Sequence, residues 1–385
     1  MRTRWMTILV ILLAAPLLCG QAQPQVHDQE MRLLAELSNA PAPSGFEGAV
    51  RKILRREFQA EGLEISTDGL GSIIGVLRGS SATPRIMLAA HMDEVGGIVR
   101  YITPQGMVKF QLLGGWLDQA LVDQRWTILT RKGPVLAVSG LISPHIVSPA
   151  VRARVFPRDE VFLDVGARTR QEAEALGIEP GDGIAPASSF RALAYGRYVG
   201  KALDDRVGCV VMLEALRRLK QSGVQPPNTV YFVGTVQEEV GLRGAQTAAE
   251  LVKPDLGISI ETGLASDYPG GNPDEAQERL GAGPAIYLAD HAMLVNLKLR
   301  DFFMQTAREN HIPVQTEVMF GGSEDSARLQ SYDGGRPALN FAVPARYLHN
   351  HNSVIERADM DHAIDLLVKL LPRLDAATVK NISSF

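Results

Sequence analysis

An apolar run that ends in two adjacent carboxylates constrains this chain more than any other segment. Residues 229–236 are rich in β-branched and aromatic side chains and follow a Gln-Pro-Pro-Asn turn, which predicts a buried strand. Glu238 and Glu239 come just after it. Successive strand side chains point to opposite faces, so both carboxylates reach one site only if the backbone turns there. Carboxylates in different surroundings usually have different roles, and a solvated pair at a turn is the alternative.

The outer parts of the chain alternate predicted helices and strands. Helices are predicted over residues 47–59, 208–220 and 359–371, and strands over residues 85–90, 255–260 and 336–341. This alternation predicts an α/β fold with a mostly parallel sheet and helices on both faces, in which ligands bind beyond the carboxyl ends of the strands. The acidic and histidine residues at such ends are His91, Glu238, Glu239 and Glu261.

Between residues 98 and 198 the pattern changes to short strand-like pieces separated by glycine and proline. Examples are residues 108–112, 126–130 and 161–165. The change predicts a small β-rich domain inserted into an α/β domain formed by residues 23–97 and 199–385. A length of 385 residues agrees with two such domains.

Residues 1–22 have the composition of a secretory signal peptide. Arg2 and Arg4 precede an apolar stretch over residues 6–18, which is too short to span a bilayer comfortably, and small residues lie before Gln23. We therefore expect an exported protein, periplasmic or secreted, with no membrane span after cleavage. Lipidation of Cys19 is the less favoured alternative, because the residue before it is a leucine rather than a small residue.

The mature chain would carry 37 basic and 43 acidic side chains, because cleavage removes Arg2 and Arg4 and no acid. This balance does not favour nucleic acid as a partner. Cleavage would also leave Cys209 as the single cysteine. An exported fold without an intramolecular disulfide must be stabilised by its core and by any bound metal.

Two short segments place acids beside a histidine or a helix. His91 and Asp93 are two residues apart and face the same side of an extended chain, so the carboxylate would lie behind the imidazole or beside it at one metal. Asp204 and Asp205 precede the helix predicted at 208–220, where a helix N-cap is the alternative role.

Glu261 follows a predicted strand, where burying an unpaired charge would be costly. His349 lies late in the chain, and a structural role is the alternative to metal binding for this histidine. Two imidazoles and several carboxylates at strand ends, with no cysteine among them, suit zinc, cobalt or manganese. Two metals about 3.5 to 4 Å apart need a shared carboxylate and one or two further ligands each. The residues that supply this number are His91, Asp204, Glu239, Glu261 and His349.

Four segments resemble the cocatalytic-metal aminopeptidases of the glutamyl, leucyl and lysyl type, which form tetrahedral shells. They are His91-Met-Asp-Glu-Val-Gly96, Lys201-Ala-Leu-Asp-Asp-Arg206, Glu238-Glu-Val-Gly241 and Arg346-Tyr-Leu-His349. Their order and spacing match that family from about residue 30 to 372. The resemblance implies a phosphorylase/hydrolase-like α/β domain, an inserted β-barrel domain used for subunit contacts, and a homo-oligomer of between two and twelve subunits.

The resemblance also implies two divalent metal ions per subunit, zinc in the first place and cobalt or manganese as alternatives. His91 and Glu261 would bind one ion, and Glu239 and His349 the other. Asp204 would bridge the two ions.

Further roles follow from the same resemblance. Glu238 would be the general base and Asp93 would orient His91. A cis peptide often follows the bridging residue in this family, which here means the bond between Asp204 and Asp205.

Two departures from the family pattern bear on the metal ligands. The family more often has Asp where this chain has Glu261. It commonly has Ser-Pro after its last histidine, whereas this chain continues to His351, a rival ligand to His349. The segment 320–325 resembles a glycine-rich loop that lines the pocket for the first side chain of the substrate, and a plain acidic turn is the alternative.

These residues predict an exported dinuclear metalloaminopeptidase that acts on peptides with a free N-terminus. A metal-activated water would attack the peptide bond, and Glu238 would pass the proton of that water to the leaving amine. A glycosidase using paired carboxylates and a catalytically inactive scaffold are the alternatives. Glu324 or Asp325 would favour basic N-terminal residues if it points into the pocket.

Overall fold

A computed structural model describes residues 28–319 and 321–384, so the predicted signal peptide, Cys19 and Phe320 lie outside the described residues. The helices are α1 Gln29–Asn39, α2 Gly48–Ala60, α3 Pro149–Arg152, α4 Arg170–Ala175, α5 Leu203–Gln221, α6 Arg243–Val252, α7 Leu297–Glu309, α8 Ser326–Ser331, α9 Arg357–Leu370 and α10 Ala376–Ser383. Within the described part of the chain, no helix combines the length and apolar character needed to cross a bilayer.

The strands belong to two sheets. They are β1 Glu64–Thr67, β2 Ile73–Leu77, β3 Arg85–His91, β4 Gly96–Ile102, β5 Val108–Leu113, β6 Gln124–Thr130, β7 Gly133–Ser139, β8 Gly183–Pro186, β9 Arg191–Ala192, β10 Arg197–Gly200, β11 Thr229–Thr235, β12 Leu256–Leu264, β13 Ala285–Ala289, β14 Gln315–Val318, β15 Ala338–Arg346 and β16 Ser353–Glu356.

The large sheet has the order β1-β2-β11-β3-β12-β15-β16-β10-β9, with β13 and β14 attached at β15. Its central strands β11, β3, β12 and β15 are parallel. Strands β1, β2, β16, β10 and β9 are antiparallel to their neighbours. The predicted α/β fold is confirmed, with its parallel strands at the centre of the sheet.

Helices cover both faces of this sheet, as the alternation of side chains along β3 shows. Ile86, Leu88 and Ala90 pack in the main core with apolar residues of α1, α2, α5 and α9. Met87 and Ala89 point to the other face, where they pack with residues of α6 and α8. A strand buried on both faces needs a continuous apolar run, and the sequence of β3 provides one.

The small sheet is antiparallel, has the order β5-β4-β8-β6-β7 and is closed into a barrel by two residues. Leu163 exchanges two backbone hydrogen bonds with Val108 of β5, and Asp164 exchanges two with Val138 of β7. The strand predicted over 161–165 is therefore reduced to these two paired residues. Trp126 lies fully buried in the apolar interior of this barrel.

The strands of the barrel run from residue 96 to residue 186, whereas the sequence predicted an insert over 98–198. Strands β9 and β10 belong to the large sheet, because β10 pairs with β16 and β9 pairs with β10. The glycine-rich texture continues through these residues, so it does not mark where the chain returns to the large sheet.

A buried ion pair fixes two loops at the carboxyl edge of the large sheet. Lys201 Nζ lies 2.7 and 2.8 Å from the two carboxylate oxygens of Glu94, and both side chains are almost fully buried. Glu94 Oε1 also accepts the backbone N–H of Ala42 at 2.8 Å. The pair therefore joins the loop after β3, the loop after α1 and the start of α5.

Removing one partner of this pair should destabilise the fold strongly. Lys201→Met leaves the Glu94 carboxylate buried without its main cation, and we expect the free energy of unfolding to fall by about 3 to 5 kcal/mol in urea titrations. Arg78→Met is the matched control, because the Arg78–Glu64 pair is mostly exposed, and its midpoint should stay near that of the wild type. Equal midpoints for the wild type and Lys201→Met would contradict this account.

Candidate active site

The predicted site residues meet at the carboxyl edge of the parallel strands. His91 is the last residue of β3, and in the pairing of β11 with β3 it lies opposite Thr235, the last residue of β11. Glu261 lies in the second half of β12, and His349 follows the end of β15. Parallel strands end on the same side of a sheet, so residues distant in sequence come together there.

The backbone turns just before the adjacent carboxylates, as their sharing of one site requires. Gln237 has φ of 55°, in the left-handed region, and the carbonyl of Glu238 accepts the backbone N–H groups of Gly241 and Leu242. The backbone N–H groups of Glu238 and Glu239 both donate to the carboxylate of Asp93, at 3.0 and 3.2 Å. Asp93 therefore fixes this turn.

Asp204 lies between the two imidazoles. Its Oδ1 is 3.0 Å from Nε2 of His91, and its Oδ2 is 3.3 Å from Nε2 of His349. Each carboxylate oxygen thus faces a different histidine. This is the arrangement required of a carboxylate that bridges two metal ions.

Glu239 and Glu261 flank this centre on either side. Glu239 Oε2 is 3.4 Å from Nε2 of His349, and Glu261 Oε2 is 3.8 Å from Nε2 of His91. Glu239 Oε1 and Glu261 Oε2 are buried and accept no hydrogen bond from the described residues. Buried carboxylate oxygens normally have partners, so one free oxygen on each side of Asp204 fits two bound cations.

Burial and mutual charge shift the pKa values of the carboxyl groups and of the imidazoles. Burial raises the pKa of Glu238 and of Glu261 well above the usual range, and it raises the pKa of Glu239 to about 7. The negative charge of Glu239 raises the pKa of His349 to about 10. Burial opposes a charge on His91, but its hydrogen bonds with Asp204 and Asp93 outweigh that effect and raise its pKa. These shifts reflect a surplus of buried negative charge, which bound cations would neutralise.

Asp93 supports the site rather than facing the cavity. Its backbone carbonyl lies 3.2 Å from Nδ1 of His91, its Oδ1 is 3.6 Å from the same nitrogen, and its Oδ2 accepts the hydroxyl of Ser44 at 2.7 Å. Although burial acts against ionisation, the hydrogen bonds to His91 and Ser44 lower the pKa of Asp93. With its Nδ1 held by Asp93, the imidazole of His91 directs Nε2 toward Asp204.

Asp204 and Asp205 divide the two roles that the sequence left open. The peptide bond between them is cis. Asp205 accepts the backbone N–H of Gly208, the hydroxyl of Thr262 and the backbone N–H of His91, at 2.9, 3.2 and 3.1 Å. Asp205 thus caps the regular part of α5 and leaves Asp204 to face the histidines.

His349 and His351 lie in different surroundings. His349 faces Asp204 and Glu239, and its Nδ1 lies 2.9 Å from the carbonyl oxygen of Gly115, a residue that follows barrel strand β5. The ring of His351 packs edge-on against the ring of Trp126, with 4.4 Å between the ring centroids. Burial lowers the pKa of His351 to about 4. The structure therefore brings His349 to the cluster and packs His351 against the barrel.

A cavity of ≈ 530 Å³ opens beside the cluster, with Glu238 in its wall. Glu324 also lines this cavity. Asp325 turns inward instead, where it is fully buried and its Oδ2 accepts the hydroxyl of Thr235 at 2.6 Å. The two neighbouring acids of this loop thus have different environments.

Several supporting residues were not predicted from the sequence. Ser259 is hydrogen-bonded to Glu261, and its position two residues earlier on the same strand face was a usable signal. Ser44 lies in a proline-rich loop and Gly115 in the inserted barrel, and both reach the site only through long-range folding. No local pattern marks such contacts.

An acidic and histidine cluster with two free carboxylate oxygens, at the carboxyl edge of a parallel α/β sheet and beside a cavity, is a candidate metal centre of the kind that metal-dependent hydrolases use. Comparison with known proteins narrows this class. The sequence profile of the M42 glutamyl aminopeptidases matches residues 71–366. The glutamyl aminopeptidase of Lactococcus lactis is 34% identical over 357 residues, covering 91% of this chain and 98% of that protein.

Two solved structures are also similar. The TET aminopeptidase from a marine sediment archaeon of the Thaumarchaeota has a TM-score of 0.90 and 40% identity, covering 92% of this chain and 99% of that chain. The Pyrococcus horikoshii TET1 peptidase, which can assemble into a tetrahedron or a large octahedral shell, has a TM-score of 0.81 and 29% identity, covering 90% and 100%. The chain belongs to the M42 glutamyl aminopeptidase family. It is a hydrolase of peptide bonds.

Metal analysis should separate the two candidate histidines. His349 faces the cluster and His351 does not. If the wild type binds about two metal ions per chain, we therefore expect His349→Ala to lose one of them and His351→Leu to retain both. Mass spectrometry of metal content after dialysis gives the count. Loss of an equivalent in His351→Leu, with none lost in His349→Ala, would reverse the assignment.

Proposed function

We propose that this chain is a dinuclear metal-dependent aminopeptidase that removes one residue at a time from the free N-terminus of peptides. The observation that carries this proposal is the position of Asp204, whose two oxygens face His91 and His349. A carboxylate shared in this way suits two neighbouring ions better than one. His91 and Glu261 would hold the first ion, and Glu239 and His349 the second.

The ligand chemistry favours zinc. Imidazole nitrogen and carboxylate oxygen, without thiolate, also suit cobalt and manganese, so availability would influence which ion is bound. Glu261 still directs a carboxylate oxygen at the cluster, even though its side chain has one methylene more than the aspartate that is more common in the family. Its Oε1 is held by Ser259, which leaves Oε2 directed at the side of His91.

Divalent cations bound here supply Lewis-acid activation of a water molecule and of the scissile carbonyl. Glu238 is suited to take and return the proton of that water. It lines the cavity, its Oε2 lies 3.9 Å from Nε2 of His91, and its side chain accepts no hydrogen bond from the described residues. Because burial raises its pKa, it can hold a proton and then deliver it to the leaving amine near neutral pH.

The carboxylates around the cavity also favour a free N-terminus. An α-ammonium group brings positive charge to a cavity lined by Asp204, Glu238 and Glu239, whereas an acetylated N-terminus does not. This electrostatic preference would limit cleavage to the first residue.

Assembly and export are further parts of the proposal. Large apolar side chains are exposed on and around the barrel, with Ile146 at 77%, Leu117 at 67% and Leu136 at 61% exposure. Such surface supports a homo-oligomer with contacts through the barrel, from a dimer up to a dodecamer. The composition of residues 1–22 supports export to the periplasm or the medium.

Turnover of blocked and unblocked peptides tests the exopeptidase assignment. We expect release of the first amino acid from unblocked peptides to exceed that from their N-acetylated forms by at least about 100-fold, because the acetyl group removes the charge that the carboxylates bind. Activity should also be lost on chelation and return with zinc, cobalt or manganese. Equal turnover of both peptides would contradict the proposal, and activity unaffected by chelation would favour a metal-free hydrolase.

Substitution of Glu238 tests its role as the base. Glu238→Gln keeps the shape of the side chain but cannot accept the proton, so we expect kcat to fall by about 100- to 10,000-fold with the metal content unchanged. Steady-state kinetics and metal analysis on the same preparation give both quantities. A fully active Glu238→Gln variant would show that another group is the base.

A further inference from the structure

The cavity beside the metal cluster has an apolar wall and an acidic lining. Leu242, Leu264, Met319 and Leu348 contribute apolar surface, and the loop from Gly321 to Glu324 closes one side. Among the described residues, no lysine or arginine lines this cavity. With Asp204 and Glu239 assigned to metal ions and Glu238 to proton transfer, a substrate side chain that enters the cavity meets apolar surface and the carboxyl group of Glu324.

Glu324 differs from the other carboxylates of this cavity. Asp204 and Glu239 each face an imidazole, and Glu238 lies 3.9 Å from Nε2 of His91. The carboxylate of Glu324 forms no hydrogen bond or ion pair within the part of the chain that the structure describes. A carboxylate that lines a cavity without a partner of its own is free to pair with a cation that enters there.

The apolar wall is a packed part of the fold. Leu264 and Met319 pack in one apolar cluster with the buried Tyr287. The carboxylate of Glu324, in the loop opposite this wall, would repel an anionic side chain in the cavity and attract a cationic one.

We propose that Glu324 is a specificity-determining residue that makes this enzyme prefer N-terminal lysine and arginine. The aliphatic stem of such a side chain packs against Leu264 and Met319, and its ammonium or guanidinium group pairs with the carboxylate of Glu324. Lysine and arginine combine these two properties, because a long apolar stem carries a charged end. The inference rests on the proposed aminopeptidase function and adds its substrate class.

The test compares N-terminal residues of equal length with and without charge. Lysyl and norleucyl substrates share the same four-carbon stem, so the ratio of their kcat/KM values isolates the ammonium group. We expect the wild type to favour the lysyl over the norleucyl substrate by about 10- to 100-fold, and Glu324→Gln to lose most of this preference because the lysyl kcat/KM falls much more than the norleucyl one. Glu250→Gln, the same change at an exposed position of α6, should keep the wild-type ratio.

A second variant and a measurement on the wild type strengthen the test. Glu324→Lys should invert the preference, so that glutamyl substrates are cleaved faster than lysyl ones. Free lysine should inhibit the wild type more strongly than free norleucine, a comparison that requires no variant.

Three results would overturn the inference. A wild type that does not prefer lysyl over norleucyl substrates lacks the proposed specificity. An equal fall for both substrates in Glu324→Gln would show that Glu324 binds the α-ammonium group common to all of them. If the metal-loaded wild type cleaves no unblocked substrate, the proposed aminopeptidase function is wrong and the inference falls with it. In the first two results the enzyme is active, so they reject the inference alone.

Discussion

The concentration of buried negative charge at one edge of the large sheet is the constraint on which the rest of the structure depends. Six carboxyl groups crowd around two imidazoles: Asp93, Asp204, Asp205, Glu238, Glu239 and Glu261. Burying so many acids without compensation is costly. Backbone N–H groups and hydroxyls compensate Asp93 and Asp205. Free oxygens remain on Glu239 and Glu261, so uncompensated negative charge is left at the centre, where the proposed cations would bind.

Much of this arrangement could be predicted from the sequence, because strand ends carry the acidic groups. The apolar run before Glu238 and Glu239 predicted the strand, and the turn at Gln237 is what two neighbouring acids at one site require. The sequence left the acids at 204 and 205 open between ligand and cap. The structure assigns one role to each, since Asp205 caps the helix while Asp204 faces the histidines.

Other features could not be predicted, because they depend on contacts between distant residues. The barrel closes through the pairing of Leu163 and Asp164 with two strands that precede them in the chain, and two residues are too few to show a strand pattern. Composition located the barrel but not the point where the chain rejoins the large sheet at β9. The inward turn of Asp325 and the exposure of Glu324 to the cavity also depend on packing that adjacent acids do not reveal.

The carbonyl of Gly115 links the barrel to the histidine and carboxylate cluster. It belongs to the barrel segment, yet it lies 2.9 Å from Nδ1 of His349, a side chain of the large-sheet domain. A second constraint is steric, because a β-carbon at Gly115 would lie 3.1 Å from the same nitrogen. A movement of the barrel segment at Gly115 would therefore change the orientation of His349, so the inserted domain and the candidate metal centre are mechanically linked.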